Sequence, residues 1–141
     1  MNPEDVDRII RYPWTMVGSD GNSLSVEGPL AEGNPHPRNY GSFPRVLASF
    51  VRDRGVLRLE EAVRKMTSLP AQRFGIRDRG VLEEGAWADL VLFDLPAVTE
   101  ATFERPKQYP QGIPHVMVNG QWVIRAGEFT GALPGRLAGR R

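Results

Sequence analysis

The run Val116-Met117-Val118-Asn119-Gly120-Gln121-Trp122-Val123-Ile124 constrains this chain more than any other feature. Asn-Gly supplies two adjacent positions that tolerate positive φ, which a type I′ turn requires, and apolar residues flank it on both sides. The run therefore predicts a β-hairpin. Upstream, Gly80-Val81-Leu82 and Ala88 to Asp94 read as two further strands around a turn near Glu84-Gly85. The last part of the chain is thus strand-rich.

The first part has a different period. Asn2 is a helix N-cap, Pro3 suits the first helical position, and Glu4 and Asp5 complement the positive helix end. Val6, Ile9 and Ile10 fall on one face, and Pro13 stops the helix. Trp14-Thr15-Met16-Val17 reads as a short buried strand, in which Trp14 packs. Val46, Leu47, Phe50 and Val51 form one helical stripe closed by Gly55. Leu59, Ala62, Val63 and Met66 form the next, with Glu60 and Glu61 in its first turn. Ser68 caps a further short turn through Phe74, ended by Gly75.

Between strand and helices, Gly18 to Phe43 shows neither helical nor strand periodicity and is dense in glycine and proline. A structureless connection longer than about 12–15 residues is uncommon in a compact domain and is usually functional or disordered. The polar residues at this junction are the first place to look for chemistry.

Composition narrows the classes. The chain has 141 residues, enough for one ordinary domain, with 40% hydrophobic and 25% charged residues. That is globular composition. The formal net charge is +1, which argues against a nucleic-acid surface. Arg136, Arg140 and Arg141, after the last acid Glu128, read as a solvated basic tail. The absence of cysteine removes disulfides and thiolate metal sites. No signal peptide or membrane-length apolar run is present, so the expectation is a cytoplasmic protein without membrane contact.

Several runs together resemble a known family. Val17-Gly18-Ser19-Asp20-Gly21 resembles the end of the eighth barrel strand in amidohydrolases, where a single Asp closes the metal site. His36-Pro37-Arg38 and Gly41-Ser42-Phe43-Pro44-Arg45 resemble the following loop and helix start of D-aminoacylases, the N-acyl-D-amino-acid deacylases. Ala62 to Thr67 and Pro70 to Gly75 are similar to the helical pair that comes next there. Gly85 to Asp94 resembles the strand returning to the small β domain, and Val118-Asn119-Gly120 with Phe129-Thr130-Gly131 resembles the closing hairpin and tail. The resemblance runs from about Asp5 to Gly135, and the order of its motifs makes it specific.

The resemblance implies an α/β fold: the last strand-helix portion of a (β/α)₈ barrel over residues 1–75, strands of the small β domain over 76–135, and the basic tail 136–141. It implies a zinc-dependent enzyme hydrolysing N-acyl-D-amino acids to a carboxylate and a D-amino acid. The family's other metal ligands, a His-x-His pair among them, come from earlier strands. Here only His36 and His115 are histidines. The expectation is therefore a C-terminal part, binding no zinc alone and inactive in isolation. One barrel strand leaves two unpaired edges, so a missing N-terminal half or self-association is expected. Two other readings stay open: a non-catalytic α+β remnant or partner-binding module, and a cyclic-amide hydrolase of the same superfamily.

Asp20 is the expected catalytic residue, with metal ligation as a second role. In the family a carboxylate there accepts a proton from the attacking water and delivers it to the leaving amine. By residue type alone, Asp before Gly is a turn residue bonding its own backbone. His36 and Arg38 are expected at the substrate, Arg38 because a guanidinium pairs bidentately with a carboxylate. Solvated loop side chains are the competing reading for both. His115, at the hairpin edge, is read as strand packing, and Trp87 and Trp122 as β core. Ser19 has no base at a useful spacing.

Overall fold

The computed structural model describes residues 2–138, so Arg140 and Arg141 of the expected tail lie outside the described residues. Helix α1, Pro3–Arg11, begins as its sequence dictates: the Asn2 side chain accepts the Glu4 N–H at 3.1 Å, and the helix ends at Tyr12, before Pro13. Of its apolar stripe, Ile10 packs on the core while Ile9 stays 52% exposed.

Trp14 to Val17 is not a strand, contrary to expectation, and Trp14 is 72% exposed. A strand needs a neighbouring strand to satisfy its backbone, and none lies beside it among the described residues. Side chains of helix α3, Leu59–Met66, do that work on one side instead. The fully buried Lys65 donates from Nζ to the carbonyls of Tyr12 at 2.5 Å and Thr15 at 3.2 Å. Arg64 donates to the Pro13 carbonyl at 2.6 Å, and the Val17 N–H reaches the Lys65 carbonyl at 3.2 Å. Glu61 bridges both cations, and its bond to Arg64 draws its carboxyl down to about 2 from 4.5.

The long connection is also shorter than the sequence suggested. A single 3₁₀ turn forms at Pro29–Ala31, and helix α2 spans Arg38–Arg45 despite Gly41 and Pro44. Gly41 is there for contact: a Cβ on it would stand 2.7 Å from the Ala101 amide nitrogen. Pro44 has no N–H to give to the helical ladder, and the chain then continues as a π-helix over Val46–Asp53. Its buried side chains Val46, Leu47, Ala48 and Phe50 belong to the core. Val46 packs with Leu57 and Ala62, and Leu47 and Ala48 pack with Val98. Helix α4, Ser68–Phe74, starts with Ser68 inside it and no side-chain cap, so Ser68 is not the cap expected. It stops at Gly75, whose φ of 68° is the left-handed end that glycine favours.

One sheet forms among the described residues, fully antiparallel in the order β1-β2-β3-β4: Leu90–Leu92, His115–Val118, Gln121–Arg125 and Glu128–Phe129. Asn119 and Gly120, at φ 49° and 78°, make the turn between β2 and β3, as their sequence requires. The expected strand at Ala88 to Asp94 narrows to Leu90–Leu92, because Asp89 is turned toward Arg79 and the Asn119 N–H. Gly80 to Leu82 is loop rather than strand, with Leu82 86% exposed. Gly80 lies against the Thr67 carbonyl at φ 80°, a conformation outside strand geometry. Trp122 packs in the sheet beside His115 at 5.5 Å, whereas Trp87 is outside it, exposed beneath the Arg79 guanidinium. No helix among the described residues is long and apolar enough to cross a membrane.

Candidate active site

Helix α2 grips the loop before it with successive side chains. Arg38 pairs with the Asp20 carboxylate. Asn39 Oδ1 accepts the Asn22 N–H at 2.6 Å while its Nδ2 donates to the His36 carbonyl at 2.8 Å. The Tyr40 hydroxyl donates to the Ser25 carbonyl at 2.9 Å. The Ser42 hydroxyl lies 3.0 Å from the Arg38 carbonyl oxygen and 3.4 Å from that of Ser19. The loop is therefore ordered by polar contacts, and among the described residues neither hydrophobic cluster draws on it.

Asp20 sits at φ 49°, in the left-handed region that aspartate tolerates better than most residues. The local turn is made by Ser19, whose Oγ accepts the Gly21 N–H at 3.2 Å. Asp20 is thus free of the turn, and its carboxylate, 85% exposed, faces Arg38. An ion pair this exposed is worth at most about 1 kcal/mol, so Arg38 can leave Asp20 for another carboxylate at little cost.

His36 completes the group. Its Nδ1 accepts the Arg38 N–H at 3.0 Å, which orients the ring from the helix start. The edge of Phe103 meets that ring with centroids 4.9 Å apart and planes at 79°. Phe103 is 66% exposed on a loop pinned elsewhere: Ala101 is buried against Gly41, Lys107 bonds the Ala31 carbonyl, and Gln108 reaches the Glu100 carbonyl at 2.7 Å.

The structure thus brings Asp20, His36 and Arg38 together and leaves His115 in the sheet, where its Nδ1 accepts the Ala126 N–H at 3.2 Å. Sequence reasoning missed Asn39, Tyr40, Ser42 and Phe103. A signal for the first three existed: Tyr40, Phe43 and Leu47 follow helical spacing through the apparent breakers. Nothing local announces Phe103.

Zinc in catalytic sites is usually held by three protein ligands and a water. Among the described residues no three His, Cys, Asp or Glu side chains form such a cluster. Asp20 and His36 are the only donors of those types in this group, and Asp20 is already engaged by a cation. These residues do not by themselves fit the ion.

A polar loop presents an aspartate beside a helical scaffold, and a small antiparallel sheet follows it. The chain belongs to the amidohydrolase family, whose model matches residues 5–124. Over 141 aligned residues it is 46% identical to the D-aminoacylase of Alcaligenes xylosoxydans xylosoxydans, covering 99% of this chain and 28% of that enzyme. A crystal structure of D-aminoacylase matches with a TM-score of 0.89 at 45% identity, over the same 99% and 28%. The N-acyl-D-glutamate deacylase of Bordetella bronchiseptica, solved with zinc and a phosphonate mimic of the tetrahedral intermediate, matches with a TM-score of 0.78 at 43% identity. That match covers 94% of this chain and 28% of the other. The chain spans 28% of the length of these relatives.

Proposed function

We propose that this chain is the C-terminal part of an enzyme that hydrolyses N-acyl-D-amino acids, with residues 1–75 belonging to its barrel and 76–135 to its small β domain. The observation that carries the reading is the pairing of Asp20 with Arg38, in a chain similar throughout to D-aminoacylase.

In this reading Arg38 exchanges the Asp20 carboxylate for the α-carboxylate of the substrate, which a guanidinium binds with two parallel hydrogen bonds. The exchange leaves Asp20 free to act. Water attacks the amide carbon and Asp20 takes its proton. Asp20 then gives that proton to the departing nitrogen, and the C–N bond breaks to leave a carboxylate and a D-amino acid. An amide nitrogen leaves poorly unless protonated, so this transfer is the demanding one. Zinc in this reading is held mainly by residues outside this chain, with Asp20 beside it.

The remainder of the enzyme, or a second copy, is expected beside Trp14 to Val17. The Val17 N–H is tied to α3, while the backbone groups of Met16 and Gly18 have no partner among the described residues. A row of unpaired groups is where a neighbouring strand adds.

The test is a chimera in which this chain replaces the matching 28% of D-aminoacylase. It is expected to release D-amino acid from N-acyl-D-amino acids, and Asp20→Asn to lower kcat by about 10²-fold or more. A folded, metal-loaded chimera whose turnover is unchanged by Asp20→Asn would overturn the assignment.

A further inference from the structure

We propose that Asn39 is a positioning residue for Asp20 and Arg38; the inference rests on the reading of those two as the working groups of the site. Neither of them is well placed to fix the other. The Asp20 carboxylate is 85% exposed, and its backbone holds a φ of 49°. That region carries some strain for any residue but glycine, less for aspartate than for most, so contacts around the loop help to hold it.

Asn39 is the side chain that reaches both flanks at once. Its Oδ1 takes the N–H of Asn22, two residues after Asp20, at 2.6 Å, and its Nδ2 gives to the carbonyl of His36, two residues before Arg38, at 2.8 Å. Only a carboxamide of this length offers an acceptor and a donor on one short fork; aspartate has acceptors alone and leucine neither. The bridge thereby sets how far the loop carrying Asp20 stands from the start of α2.

A second observation points the same way. Gly21 packs so closely on α2 that a Cβ there would lie 3.2 Å from the Arg38 carbonyl oxygen and 3.2 Å from the Asn39 Cα. Glycine lets the backbone approach, and Asn39 fastens it. Asn39 is itself partly buried, whereas Asp20, Asn22 and Arg38 are exposed. Both of its bonds lie at the exposed surface, so it is their geometry, an acceptor and a donor on one fork, that ties the loop to α2.

The test uses the isotope-labelled 141-residue chain, as wild type, Asn39→Leu, Asn39→Asp and Gly21→Ala. Two quantities are read by NMR: hydrogen exchange at the Asn22 amide, and rotation of the Arg38 guanidinium, which its pair with Asp20 slows. The Gly120 amide, bonded to the Ala88 carbonyl at 3.0 Å, is the internal control for a folded chain. Asn39→Leu is expected to speed both Asn22 exchange and Arg38 rotation about tenfold while Gly120 is unchanged. Asn39→Asp keeps the acceptor, so Asn22 stays protected while Arg38 loosens. Should Asn39→Leu also expose Gly120, the milder Asn39→Asp and Gly21→Ala decide, and both are expected to loosen Arg38.

Unchanged Arg38 rotation in the variants that keep Gly120 protected would overturn the proposal, because the ion pair would then hold itself. The readout needs no turnover. A silent chimera therefore bears on the proposed function, and unchanged Arg38 rotation bears on Asn39.

Discussion

The ammonium group of Lys65 is fully buried and lies 2.5 Å from the carbonyl oxygen of Tyr12. Lysine is almost never buried without a partner, and here it also meets Thr15 Oγ1 at 3.3 Å and Glu61 at 3.4 Å. It ties the turn that follows α1 to α3. Lys65→Met keeps most of the volume but leaves the Thr15 carbonyl without its donor, while the Tyr12 carbonyl keeps the N–H and the hydroxyl of Thr15. We expect a loss of about 1–3 kcal/mol in urea unfolding, the cost of one unmet buried polar group. A loss below about 1 kcal/mol would mean that water replaces the ammonium group.

The acid limb of stability is expected to report the same cluster. The hydrogen bond from Arg64, helped by the charges of Arg64 and Lys65 and opposed by burial, holds the Glu61 carboxyl down to about 2 against a usual 4.5. A folded-state value below the unfolded one means that the contribution is complete above about pH 4.5 and disappears as the pH falls toward about 2. Thermal midpoints followed across that window are therefore expected to fall more steeply for the wild type than for Glu61→Gln. Parallel curves for the two proteins would show that Glu61 is not coupled to folding.

How much of this was legible in the sequence depends on where each cause lies. The β2–β3 hairpin was legible because its cause is local: Asn119 and Gly120 meet the turn's need for positive φ themselves. The same holds for the Asn2 cap and for Gly75. The grouping of Asp20, His36 and Arg38 followed from motif resemblance and short separation. Periodicity hid helix α2 because Gly41 and Pro44 look like breakers, and only the family resemblance placed a helix start there; the reason for Gly41 is Ala101, far along the chain. Trp14 to Val17 is not a strand in this chain because strand identity belongs to a pair of segments, and contacts from α3 stand on one side of it instead. Phe103 reaches His36 only through a loop pinned at Ala101 and Gln108, which no local pattern encodes.

Gly41 offers a clean steric test of that packing. A Cβ would stand 2.7 Å from the Ala101 amide nitrogen and 2.9 Å from its Cβ, so backbone must move. Alanine is otherwise the better helix former. Gly41→Ala is nevertheless expected to destabilise by about 1–3 kcal/mol. Gly135→Ala, with open space around it, is the control. Neutral behaviour of Gly41→Ala in chemical unfolding would show that the loop at Ala101 yields without cost.

The final prediction separates binding from chemistry at the site. If Arg38 leaves Asp20 for the substrate's α-carboxylate, its removal weakens ground-state and transition-state binding alike. Hydrogen bonds to charged groups are worth about 1.5–3 kcal/mol, which corresponds to roughly 10- to 100-fold in affinity. In the D-aminoacylase chimera, Arg38→Met is therefore expected to raise KM by about that factor with kcat changed little. Arg38→Lys, which keeps the charge but not the planar fork, falls between the two. The discriminating substrate is an N-acyl-D-amino amide, which has no α-carboxylate. Its KM is expected to be indifferent to Arg38→Met, because the group that Arg38 would hold is missing. An equal rise for the acid and the amide would mean that Arg38 serves only to hold Asp20, and that the substrate's carboxylate is met elsewhere.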